Sequence, residues 1–352
     1  MNEHLISDLS AREQEVLEAV VRTYVETAEP AGSHSVTRRF DLGVSPATVR
    51  NTMSDLEDKG YLFHPHASAG RVPTDLAYRA FVEQFMQPAS LTREEKCRLA
   101  MELDPSGAFA IERLVRRATR VLGLLSQELG VAAAPHLASA VLERLELVKV
   151  SSKKVLLVAR VRSGVVRTVF VDLPFEVPED TLVTLTLLLN ERLTGLTLKE
   201  IRNTVAIRIR DAAPDDDPAA EEILNIFMHS GGELFGWPEA ERSTIHLGQA
   251  SVLASQPEFT SGERLKGLME LTEQTDLLAA ALGSRSHRKG IQITIGGENQ
   301  DEALSEFTLV TAEYRVGRLK GVIGVIGPTR MPYEKVCAIV EHTSALVTRI
   351  LE

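Results

Sequence analysis

The stretch Gly32-Ser33-His34-Ser35-Val36-Thr37-Arg38-Arg39-Phe40-Asp41-Leu42-Gly43-Val44-Ser45-Pro46-Ala47-Thr48-Val49-Arg50-Asn51 decides how the chain is read. It predicts a short helix, a tight turn from Asp41 to Val44, and a second helix with a strong start signal. Ser45 can accept hydrogen bonds from the N–H groups left free at a helix start, and Pro46 suits the first helical position because it has no N–H to lose. Two short helices joined by so brief a turn form the shape that sets a second helix into the DNA major groove.

Working outward, Ser10-Ala11-Arg12-Glu13 is a capping box, and Val16, Leu17, Val20, Val21 and Tyr24 recur at helical spacing to about Glu26. Helices are predicted from Ser33 to Phe40 and from Pro46 to Lys59, the latter stopped by Gly60. Tyr61 to His64 reads as a strand ended by Pro65, and Arg71-Val72-Pro73 as its return. Three helices followed by such a ribbon make a winged helix-turn-helix. Thr74 and Asp75 start a further helix through Phe81 and Phe85, ending near Pro88.

At about 100° per residue, Val49, Met53 and Leu56 share one helix face and should pack inward. Ala47, Thr48, Arg50, Asn51 and Ser54 lie opposite or beside them, next to the cap Ser45. These residue types read base edges: Arg pairs with guanine, Asn with adenine, and a small apolar group meets a thymine methyl. The ribbon would offer His66, Ser68, Gly70 and Arg71 at its tip, suited to phosphate or minor-groove contact. His64 and His66 flank Pro65, but no third metal ligand is near in sequence.

The chain has 352 residues and a formal net charge of −10, with 44% hydrophobic and 25% charged residues, ordinary proportions for a soluble protein of two or three domains. The first ninety residues are also acidic on balance, so nucleic-acid binding must rest on a local patch, with Arg38, Arg39, Arg50, Lys59 and Arg71 as candidates. No run is long and apolar enough for a membrane helix, and the N-terminus shows no secretory signal. The two cysteines, Cys97 and Cys337, read as free buried thiols in a reducing cytoplasm.

Residues 89–140 read as helical, broken at Leu103 to Gly107, with an apolar stripe from Ile111 to Leu125. After Pro135 three strand-like runs follow, Leu145–Val150, Val155–Val161 and Val165–Val171, then helices at about Pro178–Arg192 and Leu198–Arg210. A loop at Ala212 to Pro218 leads into mixed structure with the only tryptophan, Trp237, up to about Gln256. Strands resume at Ile291–Ile295, Phe307–Ala312 and Gly321–Ile326, and a last helix runs from Tyr333 to Leu351. Strands on both sides of a different middle stretch indicate one α+β domain interrupted by an insertion.

Gly43-Val44-Ser45-Pro46-Ala47-Thr48-Val49-Arg50-Asn51, Met53 to Glu57 with Gly60-Tyr61-Leu62, and Pro65-His66 with Ser68 to Thr74 together resemble the HrcA family of bacterial repressors. So do Ile295-Gly296-Gly297-Glu298-Asn299 and Gly324 to Tyr333 near the other end. Thr52, Ala67, His34 and Ala77 depart from the family pattern, where an acidic residue, Thr, Arg and Gly are usual. The resemblance implies a winged-helix domain at residues 1–88, a GAF-like domain at 89–199 and 256–352, and an inserted dimerisation domain at 200–255. It further implies a cytoplasmic homodimer that represses chaperone and chaperonin operons at an inverted-repeat element, kept active by the GroEL chaperonin.

An enzyme is the first rival. Gly321, Gly324 and Gly327 have neither GxGxxG nor Walker spacing, and strand glycines in close packing explain them. Asp215, Asp216 and Asp217, between prolines, read as a solvated loop rather than a cation site. No nucleophile–base arrangement, cofactor motif or metal spacing is visible. The second rival is a repressor whose GAF-like domain senses a small ligand. Few aromatics argue against an aromatic-lined pocket, and direct heat sensing also stays open.

Overall fold

The computed structural model describes residues 9–66, 69–103, 111–135, 140–162, 166–210, 217–234, 245–285, 290–317 and 319–351. The sequence signals of the first ninety residues produce the expected elements. Helix α1 (Ala11–Thr27) opens with the complete capping box: Ser10 Oγ accepts from the Glu13 N–H at 3.3 Å, and the Ser10 N–H donates to Glu13 Oε2 at 2.7 Å. Helix α2 (Ser33–Arg39) and helix α3 (Pro46–Asp58) follow. Arg12 of α1 donates to the Leu42 carbonyl at 2.7 Å and pins the turn between them. Strands β1 (Leu62–Phe63) and β2 (Val72–Pro73) pair antiparallel. Val16, Leu17, Val20, Val36, Val49, Met53 and Leu56 form the core of this unit.

Helix α4 (Asp75–Ala80) starts directly at the end of β2 and continues into a π-helical turn over Phe81–Phe85. Beyond it lie α5 (Arg93–Glu102), α6 (Ile111–Ser126) and β3 (Leu129–Ala133). Strand β3 corrects the expectation of helix up to residue 140. All five of its residues are buried, so it lacks the alternation that marks a half-buried strand. Gly130 lets it approach α6, where a Cβ would run into the Thr119 carbonyl. Cys97 also differs from expectation: it faces outward on α5, whereas Cys337 is buried.

Strands β4 (Leu142–Ser151), β5 (Lys154–Val161) and β6 (Val166–Asp172) form a separate three-stranded antiparallel sheet. Helices α7 (Glu179–Leu193), α8 (Leu198–Ile209) and α9 (Pro218–Leu234) pack with it and with each other. Asp217 accepts from the Ala219 and Ala220 N–H groups at the start of α9 and from the Thr181 hydroxyl at 2.8 Å, a capping role; Asp215, Asp216 and Trp237 lie outside the described residues.

Strand β7 (Ile245–Leu247) then pairs with β3, and a five-stranded antiparallel sheet forms in the order β7-β3-β10-β9-β8. Its other strands are β8 (Ile291–Ile295), β9 (Phe307–Val316) and β10 (Leu319–Pro328). Helix α6 and the terminal helix α12 (Tyr333–Leu351) cover one face. Helices α10 (Gly262–Glu273) and α11 (Thr275–Gly283), absent from the sequence expectations, supply Leu268, Leu271, Leu278 and Leu282 to the other. The chain is thus mixed α+β, and it leaves this sheet after β3 and rejoins it at β7. The boundary expected at residue 200 falls inside α8, and the one expected at 256 falls after β7 has already rejoined the sheet.

The first unit and the five-stranded sheet meet in a polar joint. Arg22 of α1 reaches Glu334 of α12 at 3.0 Å, and the Gln87 N–H donates to the same carboxylate at 2.9 Å. Burial pushes the Glu334 carboxyl up, but the hydrogen bonds from Arg22 and Gln87 outweigh it and hold it below its ordinary value. Arg330 donates to the Val25 carbonyl at 2.8 Å while paired with Glu258, and the Tyr78 and Tyr333 rings lie 5.9 Å apart.

Candidate nucleic-acid interface

Helix α3 is built to present one face. Ser45 Oγ accepts from the Thr48 N–H at 3.2 Å and Pro46 occupies the first turn. Gly43, at φ 63°, and Gly60, at φ 81°, turn the chain sharply before and after the helix. Val49, Thr52, Met53 and Leu56 point inward. Ser45, Ala47, Thr48, Arg50, Asn51 and Ser54 are all exposed and lie together along the outer side. Thr52 is buried and donates to the Thr48 carbonyl at 3.2 Å, so it takes no place on that side.

The cation patch is smaller than its sequence suggests. Arg39 is ion-paired with Glu26 of α1, and Lys59 with Glu13 at 2.8 Å. Arg71 pairs with Glu57 of α3 at 2.7 Å, and its side chain is only 12% exposed. The same carboxylate lies 3.1 Å from His64 Nδ1. The sequence reading missed Glu57, Glu26 and Glu13 as partners, because each is separated from its cation by at least a turn or an element. Arg38 and Arg50 are exposed, and no ion pair among the described residues involves them.

The ribbon departs further from expectation. Ala31 and Arg71 exchange backbone hydrogen bonds of 2.8 and 2.9 Å, tying its root to the segment before α2. A Cβ on Gly70 would lie 2.5 Å from the Ala31 carbonyl carbon, so this glycine serves close packing. Arg71 and Gly70 therefore sit at the root of the ribbon and not at a freely presented tip. His66 is exposed; Ser68 lies outside the described residues. Between the ribbon root, the start of α2 and α3 opens a cleft of about 480 Å³, lined in part by His34, Arg50, His64 and Arg71. The arrangement gathers Arg50 and Asn51 on a convex helix, with the cleft beside it.

Residues 112–337 match the family model of the HrcA protein C-terminal domain. A heat-inducible transcription repressor HrcA of Chlorobium phaeobacteroides (strain BS1) is 37% identical over 351 residues, covering 96% of this chain and 97% of its own length. The one from Geobacter sulfurreducens is 33% identical, with 99% of each chain covered. The crystal structure of a hypothetical protein at 2.2 Å resolution superposes with a TM-score of 0.60 at 20% identity, over 97% of this chain and 98% of that one, a likeness of fold. These matches define a class first, transcription repressors, which are regulators and not enzymes. Within that class, the chain belongs to the HrcA family of heat-inducible transcription repressors. Among the described residues, no helix is long and apolar enough to cross a membrane.

Proposed function

We propose that the chain is a cytoplasmic, dimeric repressor of chaperone and chaperonin operons that binds an inverted-repeat operator through a winged helix-turn-helix. The observation that carries this reading is the capped helix α3, with Ala47, Thr48, Arg50, Asn51 and Ser54 exposed on one side and its apolar side buried. Arg50 and Asn51 read base edges in the major groove, and Ser45, Arg38 and His66 approach the phosphate backbone. Arg39, Gly70 and Arg71 support that surface from behind through the contacts described above. A patch this small and an acidic chain give weak non-specific binding, so useful affinity comes from two recognition helices on one symmetric site.

The five-stranded sheet with its two helical layers is the GAF-like domain of this reading, and the unit of β4–β6 and α7–α9 is its inserted dimerisation domain. On the outer face of that unit Val148, Leu156 and Phe170 stand in register, with Phe170 60% exposed and Val148 44% exposed. A second copy of the chain covers this face, since a two-fold operator requires a two-fold protein. The GroEL chaperonin keeps the repressor in its DNA-competent form. A footprint on promoters of chaperone operons tests the reading: a protected inverted repeat bound by two chains, extended by added chaperonin, is expected. No protected repeat, or one chain per site, would overturn it.

A further inference from the structure

Helix α4 joins the recognition unit to the five-stranded sheet at two levels. At its start, the Thr74 hydroxyl donates to the carbonyls of Gly60 and Tyr61 at 2.8 and 3.0 Å, fastening it to the end of α3 and the ribbon root. Along its length it docks on the turn after β8. Asp75 Oδ2 accepts from the Gly297 N–H at 2.9 Å; Arg79 is bidentate to Glu298 and also donates to the Ile293 carbonyl at 2.8 Å. The turn is built for this contact. Gly296 sits at φ 50°, and a Cβ there would fall onto the Asp75 carboxylate. Asn299 braces the turn internally, donating to the carbonyls of Gly296, Leu304 and Phe307. Immediately beyond the docking point the helix widens into the π-turn at Phe81–Phe85, a local irregularity of the kind frequent at functional sites.

None of these residues lies on the DNA-facing side of α3. We infer that Asp75 and Arg79 are positioning residues for DNA recognition: their docking on Gly297 and Glu298 is a latch that fixes the angle of the recognition helix to the sheet domain. In a dimer that angle sets the distance between the two recognition helices, and with it the half-site spacing the protein accepts. The latch therefore selects operator spacing, while Arg50 and Asn51 select bases. This inference rests on the dimeric, inverted-repeat reading proposed above.

The test uses the full chain, in a variant carrying Asp75→Ala and Arg79→Ala, beside Arg79→Lys, which keeps the charge. Amide hydrogen exchange is read first, and should show loss of protection in α4 and at Gly297 with α1 and α3 still protected. Duplexes are then bound that carry the footprinted inverted repeat with its natural spacer or with roughly 5 base pairs, half a turn, inserted. The wild-type chain should lose about tenfold or more on the altered spacer, within the ordinary range of site coupling. The double variant should lose much less, with unchanged affinity for a single half-site, and Arg79→Lys should restore most of the discrimination. Unchanged exchange would overturn the latch, and altered exchange with wild-type spacer discrimination would overturn its role. If the double variant loses protection throughout, Gly296→Ala, whose added Cβ meets the Asp75 carboxylate, takes its place in the same comparison, with Arg79→Lys again as the control. A wild-type chain that prefers no inverted repeat would instead remove the DNA reading, and the exchange data would still decide whether the latch exists.

Discussion

Arg50 and Arg71 are two guanidiniums of one small unit, and they lead different lives. Arg50 stands exposed on α3 beside Asn51 and Ser54. Arg71, at the ribbon root, is 12% exposed and held at 2.7 Å by Glu57 from that same helix. A sequence shows both as basic residues near a helix-turn-helix pattern; the fold leaves one exposed and uses the other to fasten ribbon to helix. What separates them is geometry. Position 50 is on an exposed flank of α3 beside the face of Val49, Met53 and Leu56, whereas strand pairing at β1–β2 carries position 71 back over the end of α3.

The largest effects should come from breaking this division at each side. Arg50→Ala should cost about 1–3 kcal/mol of discrimination between the operator and random DNA, the worth of one bidentate base contact. Its thermal midpoint should stay unchanged, because the side chain is exposed. Fluorescence anisotropy at fixed salt beside a melting curve checks both. Gly70→Ala, at the ribbon root, should show the opposite profile. The added Cβ meets the Ala31 backbone, so stability should fall by about 1–3 kcal/mol, as for other overpacked sites, while base preference on correctly folded protein persists. A wild-type melting point for Gly70→Ala would mean that the ribbon root is looser than its backbone bonds imply.

Smaller effects sharpen the comparison. Ser45→Ala removes the cap of α3 and should cost about 1 kcal/mol of stability, read by denaturant unfolding, with a modest loss of affinity as the first turn frays. Acid should act on the inner side of this unit through Glu13. The hydrogen bond from Lys59, joined by the Ser10 backbone N–H, holds the Glu13 carboxyl below its ordinary value of 4.5. The stability it contributes is present in full above that ordinary value and is lost as pH falls through the lower folded value. Melting points across this window should fall less steeply with acid in Glu13→Gln than in the wild-type chain. Parallel curves would assign the acid sensitivity to other carboxylates.

The legible parts of the chain share a physical trait. Helices α1 and α3 carry their own start signals, Ser10 with Glu13 and Ser45 with Pro46, and an apolar stripe of single period, so local rules suffice. Strand β3 is illegible because burial on both sides erases alternation, and the points where the chain leaves and rejoins the five-stranded sheet are hidden because β3 and β7 meet only in the sheet. For the candidate site, the face of α3 followed from helical period. The ties of Arg39, Lys59 and Arg71 did not, since Glu26, Glu13 and Glu57 belong to other elements. Even the Ile295–Asn299 motif, which helped to mark the family, gave no hint that it docks on Asp75 and Arg79.

The central claim is that Arg50 reads a base while Arg71 does not. The direct measurement is a panel of operator duplexes, each with one base pair changed symmetrically in both half-sites, bound at fixed salt by wild-type, Arg50→Ala and Arg71→Ala chains. One substituted position should weaken the wild-type and Arg71→Ala chains by about 1–3 kcal/mol per half-site and leave Arg50→Ala nearly indifferent. Equal sensitivity of all three chains at every position would contradict the account.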